Sequence, residues 1–387
     1  MRQAIRRNII DKYGVEEKPI YTLLLDMNSI MKASMVDKRV GCDGKVYGMV
    51  YQTLHAIRNQ LVKKSFNFVY AMYDGNNSGQ LRYEIYKDYK SNRDKNFKDS
   101  KSDYDKAIDA YCRKVIEYSK GHRVERKLGG ETDDEQFERQ RSIIMDICEE
   151  LYIRQVMCDD VEGDDLIAHY VNNKKPNEKV VIVSGDRDLT QLIREDVCVY
   201  VTQLKKYITP SNHKAELGFP HYNVLVKKIF CGDASDAIKG IKGLGETTFF
   251  KLFPEAMERE VSVAEIVEKA RSMCDERVKA KKKPLKVLEN IVGSVTDGCQ
   301  GKDIYEVNEK IIDLSKPLLT EEAVAMYDAL SYAPLDSEGR DYGNVFNIIR
   351  QNNMSELMDT NHFTSFFAPF QYLRDMELKY HGEHAKS

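Results

Sequence analysis

Three apolar runs in this chain close on acids or are followed at once by them. IYTLLLD ends in Asp26, FNFVYAMYD ends in Asp74, and VVIVSGDRD adds Asp186 and Asp188. Runs of this length and composition predict buried strands over 20–26, 66–74 and 179–184. Helical spacing follows the first of them at Val46, Met49, Val50, Leu54, Ile57 and Leu61. A second amphipathic pattern begins near Asp133 and carries Phe137, Ile143, Ile144, Ile147 and Leu151. A short strand, IRQVM, then precedes a helix that opens at residues 162–165. A short helix, DLTQLI, leads to a last strand at 197–201. Strands alternating with helices predict an α/β fold, a mostly parallel central sheet flanked by helices. In such sheets functional groups gather beyond the carboxyl ends of the strands.

Four segments therefore bring carboxylates to one predicted sheet edge: Asp26; Asp74; the group Glu162, Asp164 and Asp165; and the pair Asp186 and Asp188. GDASD adds Asp233 and Asp236 from a fifth. A lone Asp after a strand is usually a helix cap or a turn former, and acids suit any helix N-terminus. Five such groups at corresponding places are poorly explained one at a time. Converging carboxylates repel one another strongly unless cations neutralise them. Hard oxygen donors select Mg²⁺, with Mn²⁺ able to substitute, over zinc. Two such ions about 3.5–4 Å apart suit in-line phosphodiester hydrolysis.

The net charge of −3 looks unpromising for a phosphate-rich substrate. The average hides a basic stretch: 14 Lys or Arg stand against nine Asp or Glu between residues 80 and 127. Two divalent cations would also bring the total to about +1. The region from about 80 to 134 is too long for an ordinary connection and too charged for a core, which predicts a largely helical insertion standing over the sheet. No run reaches the roughly 18–20 apolar residues that span a bilayer, so no membrane is expected. The basic start, MRQAIRRNII, lacks the apolar run and small-residue cleavage site of a signal peptide. The eight cysteines form no C-x-x-C pair and read as free thiols of a reducing cytoplasm, the host's if the chain is phage-encoded.

Taken in order, LLLDMNSI, FVYAMYDG, YKDYKSNRD, VEGDDLIA, VSGDRDLTQL and GDASDAIKGIKGLG resemble the flap-endonuclease (5′ nuclease) family, most closely the tailed-phage 5′–3′ exonucleases and phage RNase H. The resemblance covers about residues 20–255. It implies a PIN-like nuclease core over 1–205, a helical arch over about 80–134, a helix–two-turns–helix duplex-binding module over 206–255, and a helical extension over 256–387. It implies that Asp26, Asp74, Glu162 and Asp164 serve a first metal ion, and Asp165, Asp186, Asp188, Asp233 and Asp236 a second. Lys90 and Arg93 match the family's basic pair that reaches the scissile phosphate from the base of the arch, and fixed cations there stabilise charge developing on phosphoryl oxygens. Gly240, Lys242, Gly243 and Gly245 match the turn whose backbone amides approach duplex phosphates. Family members often carry Asn and Pro where Ala237 and Lys239 stand, which leaves a K⁺ contact at this turn open. Within the arch, Tyr83, Tyr86, Tyr89, Phe97, Tyr104 and Tyr111 suit stacking on a threaded single strand, or packing between arch helices.

The implied substrate is a DNA or RNA–DNA duplex with a 5′ flap or 5′ end, cut during replication or repair. The alternatives are a catalytically silent DNA-structure-binding subunit and a PIN-like ribonuclease, though the latter lacks GDASDAIKGIKGLG. A haloacid-dehalogenase-type phosphatase is excluded because Asn28 stands where its second Asp would be. Beyond residue 255 the motifs stop. KAKKKPLK at 279–286 reads as a duplex contact or a solvated charged face. TNHFTSFF at 360–367 has the spacing of a sliding-clamp-binding peptide without its leading Gln, although paired aromatics more often pack in a core. A sliding clamp or a single-strand-binding protein is the partner class this leaves open.

Overall fold

The computed structural model describes residues 19–92, 131–293, 301–335 and 339–384. Its centre is a six-stranded sheet of β1 (Ile20–Asp26), β2 (Phe68–Asp74), β3 (Arg154–Cys158), β4 (Glu178–Ser184), β5 (Val197–Val201) and β6 (Lys206–Ile208), in the order β3-β2-β1-β4-β5-β6. All neighbours are parallel except β5 and β6. The central strands are apolar throughout because helices cover both faces. Leu23, Leu25, Val69, Ala71, Tyr73 and Val183 face one layer; Leu24, Phe68, Tyr70, Met72, Val180 and Ile182 face the other. β6 escaped the sequence pattern because it is three residues long and opens on a lysine.

The first layer contains α1 (Met27–Ser34) and α2 (Gly48–Lys63). After β2 comes α3 (Gln80–Ile85), followed by a turn that ends the described part of the insertion at residue 92. The chain re-enters at α4 (Asp133–Glu150), whose start is fixed by a capping box between Thr132 and Glu135. The rest of the predicted arch, with Arg93, Phe97, Tyr104 and Tyr111, lies outside the described residues. α5 (Gly163–Asn173) packs on the second face of the sheet.

Beyond the sheet come α6 (His213–Leu217) and α7 (Val224–Cys231), then a hairpin of β7 (Gly232–Asp233) and β8 (Ile238–Lys239), and α8 (Glu246–Leu252). α7 and α8 are too short to cover Phe230, Phe249 and Phe253 by themselves. α9 (Val263–Lys279) and α10 (Lys286–Val292) close that cluster with Ile266, Ala270, Leu288 and Ile291. The packing thus runs past residue 255, where the motifs end. The basic run after α9 is exposed.

α11 (Gly301–Ile312) leads the chain back towards the sheet. α12 (Glu321–Leu330) and α15 (Tyr372–His384) add Tyr327 and Tyr380 to one face; α13 (Tyr342–Gln351) and α14 (Thr360–Phe367) add Val345, Ile349, Phe366 and Phe367 to the other. Phe366 and Phe367 are 4% and 1% exposed, so the paired aromatics of TNHFTSFF are core rather than a displayed peptide. Arg154 and Glu377, both buried, form an ion pair at 2.7 Å that ties α15 to the edge strand β3. Among the described residues no helix is long and apolar enough to cross a membrane.

Candidate functional site

Register decides which acids meet. Leu25 pairs with Val183, so Asp26 and Ser184 leave β1 and β4 side by side, while Asp74 pairs with Cys158 two positions beyond Asp26's partner Met72. Asp26 is 6% exposed and accepts hydrogen bonds from Ser29 N at 3.0 Å and Ser184 Oγ at 2.5 Å. Burial pushes its carboxyl up to about 6; the two serine bonds oppose this, and the charges of Asp74 and Asp186 add to it. Asp74 accepts from Gly163 N at 2.9 Å, which locks the start of α5 against the end of β2. Asp164 is held well above the usual carboxylate range by burial, then by Asp26, Asp186, Asp74 and Glu162. Asp164 thus stands among acids from three other segments, the ends of β1 and β2 and the turn after β4.

Asp165, which the motif pairs with the second ion, points elsewhere. Successive residues on a helix are turned by about 100°. The turn that aims Asp164 at the sheet edge aims Asp165 at Arg82 of α3. Arg82 grips Asp165 with both terminal nitrogens, one at 2.9 Å, and Leu318 N donates to the same carboxylate at 3.0 Å. Asp165 is 1% exposed. Its geometry is that of a buried structural ion pair.

Glu162 caps α5 without a capping bond of its own and is surrounded by donors. Arg82 Nη1 lies 3.0 Å from it, Tyr89 OH donates at 2.8 Å, and the Lys90 ammonium meets its other oxygen. Lys90 is buried, and its backbone is left-handed with φ 52°. Its N–H bonds to Asp236 O at 2.8 Å, which holds that conformation in place. Burial lowers the Lys90 pKa, but Glu162 and Asp236 outweigh it and the ammonium ends above its ordinary value. Asn92 Nδ2 donates to Ala234 O at 3.0 Å, so the base of the insertion is docked on the Asp233–Asp236 turn. Tyr89 is buried among Ile238, Ile311 and Ile312, and Tyr86 packs partly against the same cluster. Packing, rather than base stacking, therefore accounts for Tyr89.

Asp186 accepts from Asp188 N at 2.8 Å, and its own N–H donates to Ser184 Oγ at 2.7 Å. Burial and Asp186 push Asp188 up to about 6 against the pull of Lys228. The Lys228 ammonium, on α7, meets Asp188 and lies 2.5 Å from Asp233. Asp233 also accepts from Ser235 N and Oγ. Burial raises Asp233, but Lys228 and Ser235 outweigh it and its carboxyl ends below the usual range. Lys228, Arg82 and Ser184 were not singled out by motif reading. For Lys228 a signal exists in VLVKKIF, where two lysines interrupt an apolar helix; Lys227 pairs outward with Glu246 and Lys228 inward.

The glycine turn follows directly. A Cβ on Gly240 would lie 2.2 Å from the Cys231 carbonyl group, so only glycine fits this crossing. Gly243 has φ 85° in an open turn. Asn290 Nδ2 pins the turn by donating to Lys242 O at 3.0 Å, while Lys242, Gly243 and Gly245 stay exposed.

Among the described residues no three His, Cys, Asp or Glu already stand as a metal cage. The carboxylate oxygens are engaged instead by serine hydroxyls, amide N–H groups and the two lysines. The donor set nevertheless fits hard divalent ions: it is all oxygen, it runs from buried Asp26 and Glu162 to exposed Asp186, and burial together with neighbouring carboxylates pushes Asp26 and Asp164 towards protonation.

A model of the 5′–3′ exonuclease N-terminal resolvase-like domain matches residues 21–218. Asp233, Asp236 and the glycine turn lie beyond it. The chain is similar to DNA polymerase I of Bacillus subtilis, 28% identical over 170 residues, which is 41% of this chain and 19% of that protein. It is also similar to a 5′–3′ exonuclease of Mycoplasmopsis pulmonis, 38% identical over 88 residues, 22% of this chain and 29% of that protein. The matched segments thus span less than a third of these relatives. Among solved structures, the bacteriophage T5 flap endonuclease in a pseudo-enzyme–product complex with DNA and metal ions superposes with a TM-score of 0.55, covering 92% of this chain and 99% of that one at 14% identity, a likeness of fold.

Proposed function

The chain belongs to the 5′–3′ exonuclease family, and from that premise we propose that it is a structure-specific 5′ nuclease hydrolysing phosphodiester bonds near the 5′ end or 5′ flap of a DNA or RNA–DNA duplex. The observation that carries the proposal is the convergence of Asp26, Asp74, Asp164 and Asp186 at one sheet edge, where burial first and the neighbouring carboxylates after it hold Asp26 and Asp164 above the ordinary carboxylate range. Asp26, Asp74, Glu162 and Asp164 would hold one Mg²⁺, and Asp186, Asp188, Asp233 and Asp236 a second, with Mn²⁺ able to replace either. When bound, such ions lower the pKa of water and stabilise the attacking and leaving oxygens of an in-line displacement.

The chain's own residues do the rest. Ser184 and Ser29 fix the Asp26 carboxylate. Tyr89 and Arg82 hold Glu162, which in turn aims the Lys90 ammonium into the site from the base of the insertion. There Lys90, with Arg93 beside it in sequence, meets negative charge on the phosphate. The turn at Gly240, Lys242, Gly243 and Gly245 presents backbone amides and one lysine to duplex phosphates without reading sequence. K⁺ at that turn stays open, because Ala237 and Lys239 stand where family members often carry Asn and Pro. A sliding clamp is left out of the proposal, since Phe366 and Phe367, the paired aromatics of its peptide pattern, are core.

The test is cleavage of an end-labelled, 5′-flapped duplex with Mg²⁺, with Mn²⁺ and with EDTA, beside the Asp186→Asn protein. Metal-dependent products near the flap junction, lost in the variant, support the nuclease. Tight binding to the flap with no cleavage in either metal would overturn it in favour of a silent structure-binding subunit.

A further inference from the structure

Lys228 is the one lysine of the described residues that bridges two of the acids read as ligands of the second ion, reaching Asp188 and, at 2.5 Å, Asp233. Its surroundings are largely buried, with 14% of its side chain exposed. It is carried by α7, whose Val226, Ile229 and Phe230 are anchored in the apolar cluster beneath the glycine turn, so the ammonium is delivered from a rigid element rather than a loose surface. The first-ion acids are arranged differently. Asp26 and Asp74 are met by serine and amide donors, and the cations on that side, Lys90 and Arg82, both meet Glu162. Both halves of the site thus carry positive charge, but only on the second side does one ammonium bridge two carboxylates.

We propose that Lys228 is a built-in counter-ion for the second metal position: it holds Asp188 and Asp233 together and must be displaced from them before a divalent cation can bind there. This rests on the reading of Asp188 and Asp233 as second-ion ligands. Because the ammonium and the divalent ion compete for the same oxygens, Lys228 weakens the second ion's affinity and leaves the first ion's nearly untouched. The two ions then load in order, first at Asp26, Asp74 and Asp164, and later at Asp188 and Asp233. Lys228 acts here as a positioning residue that sets the order of loading, and no bond is made or broken.

The experiment is a Mn²⁺ titration of the whole protein without nucleic acid, following free Mn²⁺ by its EPR signal. The wild type should show a tight and a weak ion. Lys228→Met should tighten the weak ion by about tenfold or more and leave the tight one within about twofold, since removing a competing charge acts locally. Lys228→Arg, which keeps the charge, should bind like the wild type; a merely structural role for the side chain would not predict this division between the two variants. Asp188→Asn should lose the weak ion alone. A weak ion unchanged or weakened in Lys228→Met, with Asp188→Asn behaving as expected, overturns the counter-ion role and spares the metal assignment. Both ions retained in Asp188→Asn overturns the metal assignment and the counter-ion role with it. Without metal, Lys228→Met should melt lower than the wild type and recover on saturation with Mn²⁺. A variant that stays unfolded in saturating Mn²⁺ would make Lys228 a structural prop and overturn the exchange.

Discussion

Asp164 and Asp165 are neighbours in sequence with opposite surroundings. One faces four other acids and is pushed towards protonation; the other is enclosed by Arg82 and a backbone amide. The two substitutions should therefore fail differently. Asp164→Asn should lower flap cleavage by several orders of magnitude while leaving the melting temperature unchanged or raised, because it removes a repelled charge. Asp165→Ala should keep its full complement of Mn²⁺ and lose about 3–5 kcal/mol of stability in urea unfolding, because it takes from buried Arg82 the carboxylate it grips with both terminal nitrogens. Loss of one ion in Asp165→Ala would return that residue to the ligand set. Asp26 sets a pH dependence. Its folded pKa of about 6 exceeds the ordinary 3.8, so the folded state binds the proton more tightly than the unfolded chain. In metal-free protein this favours folding as pH falls from about 7 towards 4, and the contribution fades as pH rises through about 6. Melting curves across that range should show a rise of a few degrees on acidification that shrinks in Asp26→Asn; an equal rise in both proteins would refute it.

At the scale of elements, the sequence announced the strands that matter. β1, β2 and β4 are apolar on both faces and stop at polar residues, so their positions and their edge could be read directly. It was poorer where neighbours decide the outcome. The partition of Asp164 from Asp165 follows from helix phase and from an arginine more than 80 positions away. VLVKKIF shows two lysines in an apolar helix, but which of them turns inward is decided only when α7 is packed against Asp188. The short α7 and α8 gave no hint that α9 and α10 complete their core. That packing bears on the glycine turn, which Asn290 of α10 holds by the carbonyl of Lys242. Lys242→Ala should leave the turn intact and weaken duplex binding alike for all sequences, lowering the slope of log affinity against log salt by about 1. Fluorescence anisotropy at several salt concentrations would measure it, and an unchanged slope would take Lys242 off the phosphate path.

Across the whole molecule, the chain leaves the sheet after β6, builds the helical module, and returns to both faces of the same sheet. Arg58 Nε donates to Phe366 O at 2.9 Å and Phe66 N to Tyr372 OH at 3.1 Å, and the Arg154–Glu377 pair closes the far edge. Glu377→Ala strands a buried guanidinium and should cost about 3–5 kcal/mol, lowering the urea midpoint of the entire protein rather than producing a separate early transition. A distinct first transition confined to the C-terminal helices would show that they are an appendage. The returning helices also have a consequence for chain order. Every acid of the site lies at or before residue 236, yet Phe366, Phe367, Phe370 and Tyr380, which help seal the two faces of the sheet, come much later in the chain. A chain made only as far as residue 236 carries all of these acids but an open interior, so the sheet edge that gathers them is completed from well downstream in the sequence.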